Sequence, residues 1–107
     1  MSERIDRCRA LVAQFPDSEL PRFSLGQALL EAGRFEEAAA TFAEVAAIKP
    51  DYMMAHVHRT RALMELERWS DARDACRAAI KLAIAQGHSG PRLECEQLLA
   101  EIEDELA

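Results

Sequence analysis

With 107 residues, half of them apolar and 30% charged, the chain suits one domain with its own core and matches neither a disordered nor a membrane composition. No run of 18 apolar residues is present, so no spanning helix is expected, and a net charge of −6 argues against nucleic acid, whose phosphates demand clustered Lys and Arg. Four glycines, four prolines and abundant alanine favour an all-helical fold. The charged start Ser2-Glu3-Arg4-Ile5-Asp6-Arg7 lacks an apolar signal region, which points to the cytoplasm.

A first helix is predicted from about Glu3 to Gln14, with Ser2 as N-cap and Ile5, Cys8, Leu11, Val12 and Phe15 as its apolar stripe. Pro16-Asp17-Ser18 ends it. The second helix runs from about Ser18 to Ala32, with Pro21 in its first turn, where a missing N–H costs nothing, and Gly33 as a left-handed C-terminal residue. The third, about Phe35 to Ile48, sets Glu36 and Glu37 against the positive end of its dipole. So short a connection makes these two helices antiparallel neighbours.

Asp51 is the expected cap of a fourth helix, roughly Tyr52 to Glu67, which has no glycine at its end, so Glu67-Arg68 must make the turn. Ser70 is the expected cap of a fifth helix, which continues to about Gln86 because no proline stops it. Gly87-His88-Ser89-Gly90 reads as a loop, and Pro91 opens a sixth helix ending near Leu106. The apolar set Leu93, Leu98, Leu99, Ile102 and Leu106 again makes one stripe.

Residues 16–49 and 50–83 share seven identities at a step of 34: Pro16/Pro50, Asp17/Asp51, Ala28/Ala62, Leu29/Leu63, Glu31/Glu65, Arg34/Arg68 and Ala38/Ala72. Phe35/Trp69, Glu37/Asp71 and Leu30/Met64 are close substitutions. A fixed period of this size means stacked helical hairpins. In the first unit Leu25-Gly26, Leu29, Gly33, Phe35, Ala38, Phe42 and Pro50 form a code of small and large residues over two helices. Gly26 and Ala38 are small where the helices cross, and the large residues fill the space around that crossing.

This pattern resembles the tetratricopeptide repeat. The resemblance covers roughly residues 2–86 and implies an all-α protein of about six helices, antiparallel hairpins stacked as a short right-handed α-solenoid. Its parts are a half-repeat helix at 2–15, repeats at 16–49 and 50–86, and a C-terminal capping helix at 91–106. The second repeat departs from the pattern, with Arg59 in the leucine slot, Thr60 in the glycine slot, Cys76 in the large aromatic slot and Ile84 in the proline slot. Arg22 and His56 stand where the family often has tryptophan.

No residues group into a catalytic site. His56 and His58 are two apart on one helix and point away from each other, so they cannot share a metal. Cys8, Cys76 and Cys95 have no ligand-like spacing and read as reduced, buried thiols. The acidic last helix reads as a solvated face. We expect no enzyme activity, no metal and no cofactor.

The resemblance instead implies a protein–protein interaction module. In the family, the first helix of each pair lines the inside of the superhelix. The corresponding residues are Leu20, Phe23, Gln27, Leu30 and Glu31 in the first repeat, and Met54, Val57, Arg61, Met64 and Glu65 in the second. One subgroup holds a partner's C-terminal carboxylates with lysines and asparagines in this groove. Phe23, Gln27, Val57 and Arg61 stand at those places here, so such a clamp is not expected. An apolar groove with two methionines instead suits an amphipathic helix or an extended apolar peptide, and no nucleic acid or membrane partner is expected. Two points stay open: whether the last helix covers part of the groove, and whether the chain is a piece of a longer array. The alternative is a structural subunit that stacks end to end, because Arg4, Arg7 and Arg9 make the first helix basic while the last is acidic. The oligomeric state expected is a monomer or a weak self-associate.

Overall fold

The computed structural model describes residues 2–107 as six helices: α1 (Glu3–Gln14), α2 (Glu19–Glu31), α3 (Phe35–Ile48), α4 (Met53–Glu65), α5 (Trp69–Gln86) and α6 (Ser89–Leu106). No strand occurs among the described residues. Each helix packs on the next in sequence, and α2 also meets α4. The result is two layers, α2–α4–α6 and α1–α3–α5. Ion pairs tie each layer internally, Arg61 to Glu94 at 2.8 Å between α4 and α6, and Arg9 to Glu37 at 2.8 Å between α1 and α3. The stack measures 41 × 28 × 20 Å.

Local chemistry accounts for most helix ends. The Ser2 hydroxyl accepts from the Ile5 N–H at 3.2 Å, the expected N-cap. At the end of α2, Gly33 has φ 74° while the Gly33 and Arg34 N–H groups reach back to the Leu30 and Leu29 carbonyls. This closure pairs carbonyls that the last turn would leave open. The same pair of bonds ends α4, made by Glu67 and Arg68 to Met64 and Leu63, and α5, made by Gly87 and His88 to Ile84 and Ala83. Glu67 therefore takes φ 56° at the position where its 34-residue counterpart is glycine. Its left-handed backbone is the cost of the missing glycine.

Other expected ends shift. Neither Asp51 nor Ser70 caps its helix: Tyr52 and Arg68 precede α4 and α5, and neither makes a side-chain capping bond. The stretch expected to form a loop at 87–90 shrinks to Gly87 and His88, and α6 starts at Ser89. Pro91 still lies in its first turn, where no N–H partner is lost. Helix α5 runs to Gln86 as expected, since Ile84 replaces the terminating proline.

The two non-family residues Arg22 and His56 do the same work one repeat apart. Arg22 Nη1 donates to the Pro16 carbonyl, and His56 Nε2 donates to the Pro50 carbonyl at 3.0 Å. Each ties the first helix of a repeat to the proline turn that precedes it.

Helix crossing in the two hairpins is solved differently. A Cβ on Gly26 would stand 2.7 Å from the Phe42 ring, so only glycine admits that ring. In the second hairpin Thr60 and Cys76 occupy the same two slots, and both are buried. A larger residue on α4 thus accompanies a smaller one on α5, which offsets part of the volume lost with the aromatic ring. The Thr60 hydroxyl donates to the His56 carbonyl at 2.8 Å, which satisfies the polar atom this exchange buries.

Phe42 continues past Gly26 into a cluster with Phe23 (ring centroids 5.7 Å) and His58 (5.4 Å). Tyr52 adds a fourth ring, 4.9 Å from Phe23. This cluster joins α2 and α3 to the start of the second repeat. His58 is the imidazole within it; its Nδ1 is buried without a partner. Burial holds its pKa below the ordinary 6.5, Arg61 pushes in the same direction, and Glu94 opposes both.

Three outcomes are expected. Gly26→Leu should destabilise by about 1–3 kcal/mol in urea unfolding, while the pair Gly26→Thr with Phe42→Cys should cost less than the sum of its single changes. Glu67→Gly should raise stability by about 0.5–1 kcal/mol by relieving the left-handed backbone. Because His58 binds a proton less readily when folded, stability should be level above its unfolded value of 6.5 and fall as pH drops below it. His58→Phe should flatten that fall, measured as Tm between about pH 7.5 and 5.5, where the shared carboxylates stay ionised in both proteins.

Candidate protein-binding groove

The ten groove residues expected from the sequence all lie on α2 and α4, in the layer that α6 continues. Leu20 stands free at 58% exposure, Phe23, Gln27 and Leu30 are half-buried, and Glu31 is exposed. On α4, Met54, Arg61 and Met64 are half-buried and Glu65 is exposed. Val57 differs. It is 1% exposed and belongs to the core, because α4 is the middle helix of its layer and its short side chain lies beneath longer neighbours.

Helix α6 packs on α5 and touches α4 along one edge through Arg61 and Glu94. It continues the layer beside α4, so Phe23, Met54 and Met64 keep part of their surface open. Phe23 has two roles, since its ring also packs in the aromatic cluster.

The start of α4 opens on a cavity of about 320 Å³ lined by Lys49, Asp51, Tyr52, Met53, Met54 and the α5–α6 turn residues Gln86 and His88. Gln86 Nε2 donates to the Asp51 carbonyl at 2.8 Å, which holds the two turns together, and Lys49 Nζ lies 5.8 Å from the centre of the Tyr52 ring. Sequence reasoning missed Tyr52 and Leu93. Tyr52 precedes its helix and so falls outside the helical register. Leu93, 60% exposed, comes into register only because α6 starts 36 residues after α4, whereas α4 starts 34 after α2. The extension of α5 was the signal that would have found it.

Some charges of this face are paired, while Glu65 makes no ion pair among the described residues. Arg61 pairs with Glu94, Glu31 accepts from Arg4 of α1, and Arg92 lies 3.7 Å from Glu96. The cysteines take no part. All three are buried and free, and burial pushes the Cys76 thiol up to about 12 as it donates to the Cys95 carbonyl at 3.1 Å. Among the described residues no group of three or more His, Cys, Asp or Glu is placed to hold a metal ion, and no helix is long and apolar enough to cross a membrane. The arrangement offers surface for binding.

No curated protein matches the chain. Solved structures do. The TPR2B domain of yeast Sti1, solved in a complex with pHsp70, superposes with a TM-score of 0.86 over 94% of this chain and 81% of that one, at 19% identity. Protein BPP2914 from Bordetella parapertussis gives 0.82 over 98% and 91%, at 25% identity. A tetratricopeptide repeat domain protein from Salinibacter ruber gives 0.74 over 83% and 90%, at 26% identity. The likeness to the Sti1 domain is one of fold. The family model described as "Tetratricopeptide repeat" matches residues 6–53 and again 23–88, and with six helices stacked as pairs around its small-and-large code the chain belongs to the tetratricopeptide repeat family.

Proposed function

We propose that the chain binds a peptide or helix of a partner protein along the α2–α4–α6 face, without catalysis of its own. As a tetratricopeptide repeat protein it is a protein–protein interaction module by family. What supports this face in particular is the open apolar surface on all three of its helices, with Leu20 at 58% and Leu93 at 60% exposure and the half-buried Met54 and Met64 between them. Methionines and isolated leucines repack around varied apolar ligands. The partner of the Sti1 domain, pHsp70, shows that a structural relative carries a partner; the identity of the partner here is a separate matter.

End-to-end stacking has less behind it. Arg4 pairs with Glu31, Arg9 with Glu37 and Arg7 with Glu3, so the basic charges of α1 already face carboxylates of their own chain. The exposed Leu11 (44%) and Phe15 (49%) of α1 are what remains to favour it.

Capture from lysate of the cell that makes the protein tests the groove reading. Leu20→Glu and Leu30→Glu should lose the captured partner while circular dichroism stays unchanged, and Lys81→Glu on α5 should retain it. Capture that survives both leucine changes in folded protein would reject the groove.

A further inference from the structure

Helices α2, α4 and α6 begin at Glu19, Met53 and Ser89, which puts their residues in register at steps of 34 and 36. At that register Ala28, Ala62 and Leu98 fall at one position and all are buried, while the buried Cys95 and Ile102 fall beside the half-buried Arg59 and Leu66. Two rows of the groove face follow from it. Phe23 and Leu93 stand in one apolar row, with the buried Val57 between them in register, and Leu30, Met64 and Ala100 make another. Beside the second row, the next position holds Glu31, Glu65 and Glu101, and all three are exposed.

This row of carboxylates lacks matching cations. Glu31 takes Arg4 from α1, but among the described residues neither Glu65 nor Glu101 makes an ion pair. The groove's own arginine, Arg61, is held by Glu94. The cations that pair with no carboxylate are Lys49, Arg59, Arg73, Arg77 and Lys81, and none stands at a register position of the groove rows. Arg73, Arg77 and Lys81 instead follow one another at four-residue spacing along α5, in the other layer. The net charge of −6 is therefore unevenly placed, with an acidic edge along an apolar groove.

Resting on the reading that this face binds protein, we infer that its ligand is a cationic amphipathic segment. Apolar side chains of the segment lie on the Phe23/Leu93 and Leu30/Met64 rows, and its Lys or Arg side chains lie on Glu31, Glu65 and Glu101. The three helices of the face lie side by side without close packing, so successive carboxylates stand at least about 10 Å apart. On a bound helix that spacing is met by cations about seven residues apart, a rise of about 10 Å. Opposite charge along the rim steers the encounter and sets the register, while the apolar rows supply the burial.

Three synthetic helical peptides that share one apolar pattern and carry Lys, Gln or Glu at the two or three rim positions test this by fluorescence anisotropy. The Lys peptide should bind about tenfold tighter than the Gln peptide, and the Glu peptide weakest. The advantage should vanish at about 0.5 M salt and in Glu65→Gln/Glu101→Gln, and Lys81→Gln should leave it intact. If all three peptides bind alike and Leu30→Glu abolishes them, the groove stands and the charge inference is overturned. If the Lys peptide's advantage survives the double glutamine change, the inference is likewise overturned. If no peptide responds to Leu30→Glu, the groove reading itself fails. Sedimentation that shows a dimer lost in Leu30→Glu would give the groove to a second copy and overturn the inference.

Discussion

The structure depends on how closely α2 approaches α3. That approach exists because Gly26 presents no side chain to the Phe42 ring. With the ring seated there, Phe42 reaches through the first hairpin to His58 and Phe23, and so couples the hairpin to the helix that opens the next repeat. One contact thus fixes both the crossing within a repeat and the joint between repeats. The groove inherits its geometry from that joint, since Phe23 lines the groove and also packs in the cluster. A change at Phe23 or Leu30 therefore also touches the core, whereas the exposed Leu20 is free of it.

The second repeat shows what a family pattern constrains. The glycine and aromatic slots are filled by Thr60 and Cys76, both buried, so a larger residue on α4 accompanies a smaller one on α5. The tryptophan slots hold Arg22 and His56, and both residues bind the carbonyl of the proline turn before them. What is kept is a buried crossing and a tie at the turn, and several residue types satisfy each. Unequal sequences give equivalent hairpins for that reason.

Charge follows a different logic. Most ion pairs of the molecule join exposed side chains, so each contributes little to stability. Their placement still matters, because they consume the arginines of α1 and of the groove. The carboxylates left unpaired, Glu65 and Glu101 among them, then define the character of the open face. Stability rests on the apolar crossing, and these surface charges add little to it.

Much of this was legible in the sequence. The period of 34, the glycine and proline punctuation and the apolar stripes specify six helices and their antiparallel neighbours, because helix formation and short connections are local matters. Helix ends closed by glycine or by Ser2 followed from the same local chemistry, and the failure of Asp51 and Ser70 to cap marks where neighbouring turns dictated the backbone instead. Helical register also assigned the candidate groove residues to α2 and α4. Only the packed structure decided what reaches the surface. It buried Val57, seated Tyr52 against Phe23, and started α6 at 36 residues after α4 where α4 starts 34 after α2. Burial and cross-helix register are sums over the whole stack, and no single stretch of chain contains them.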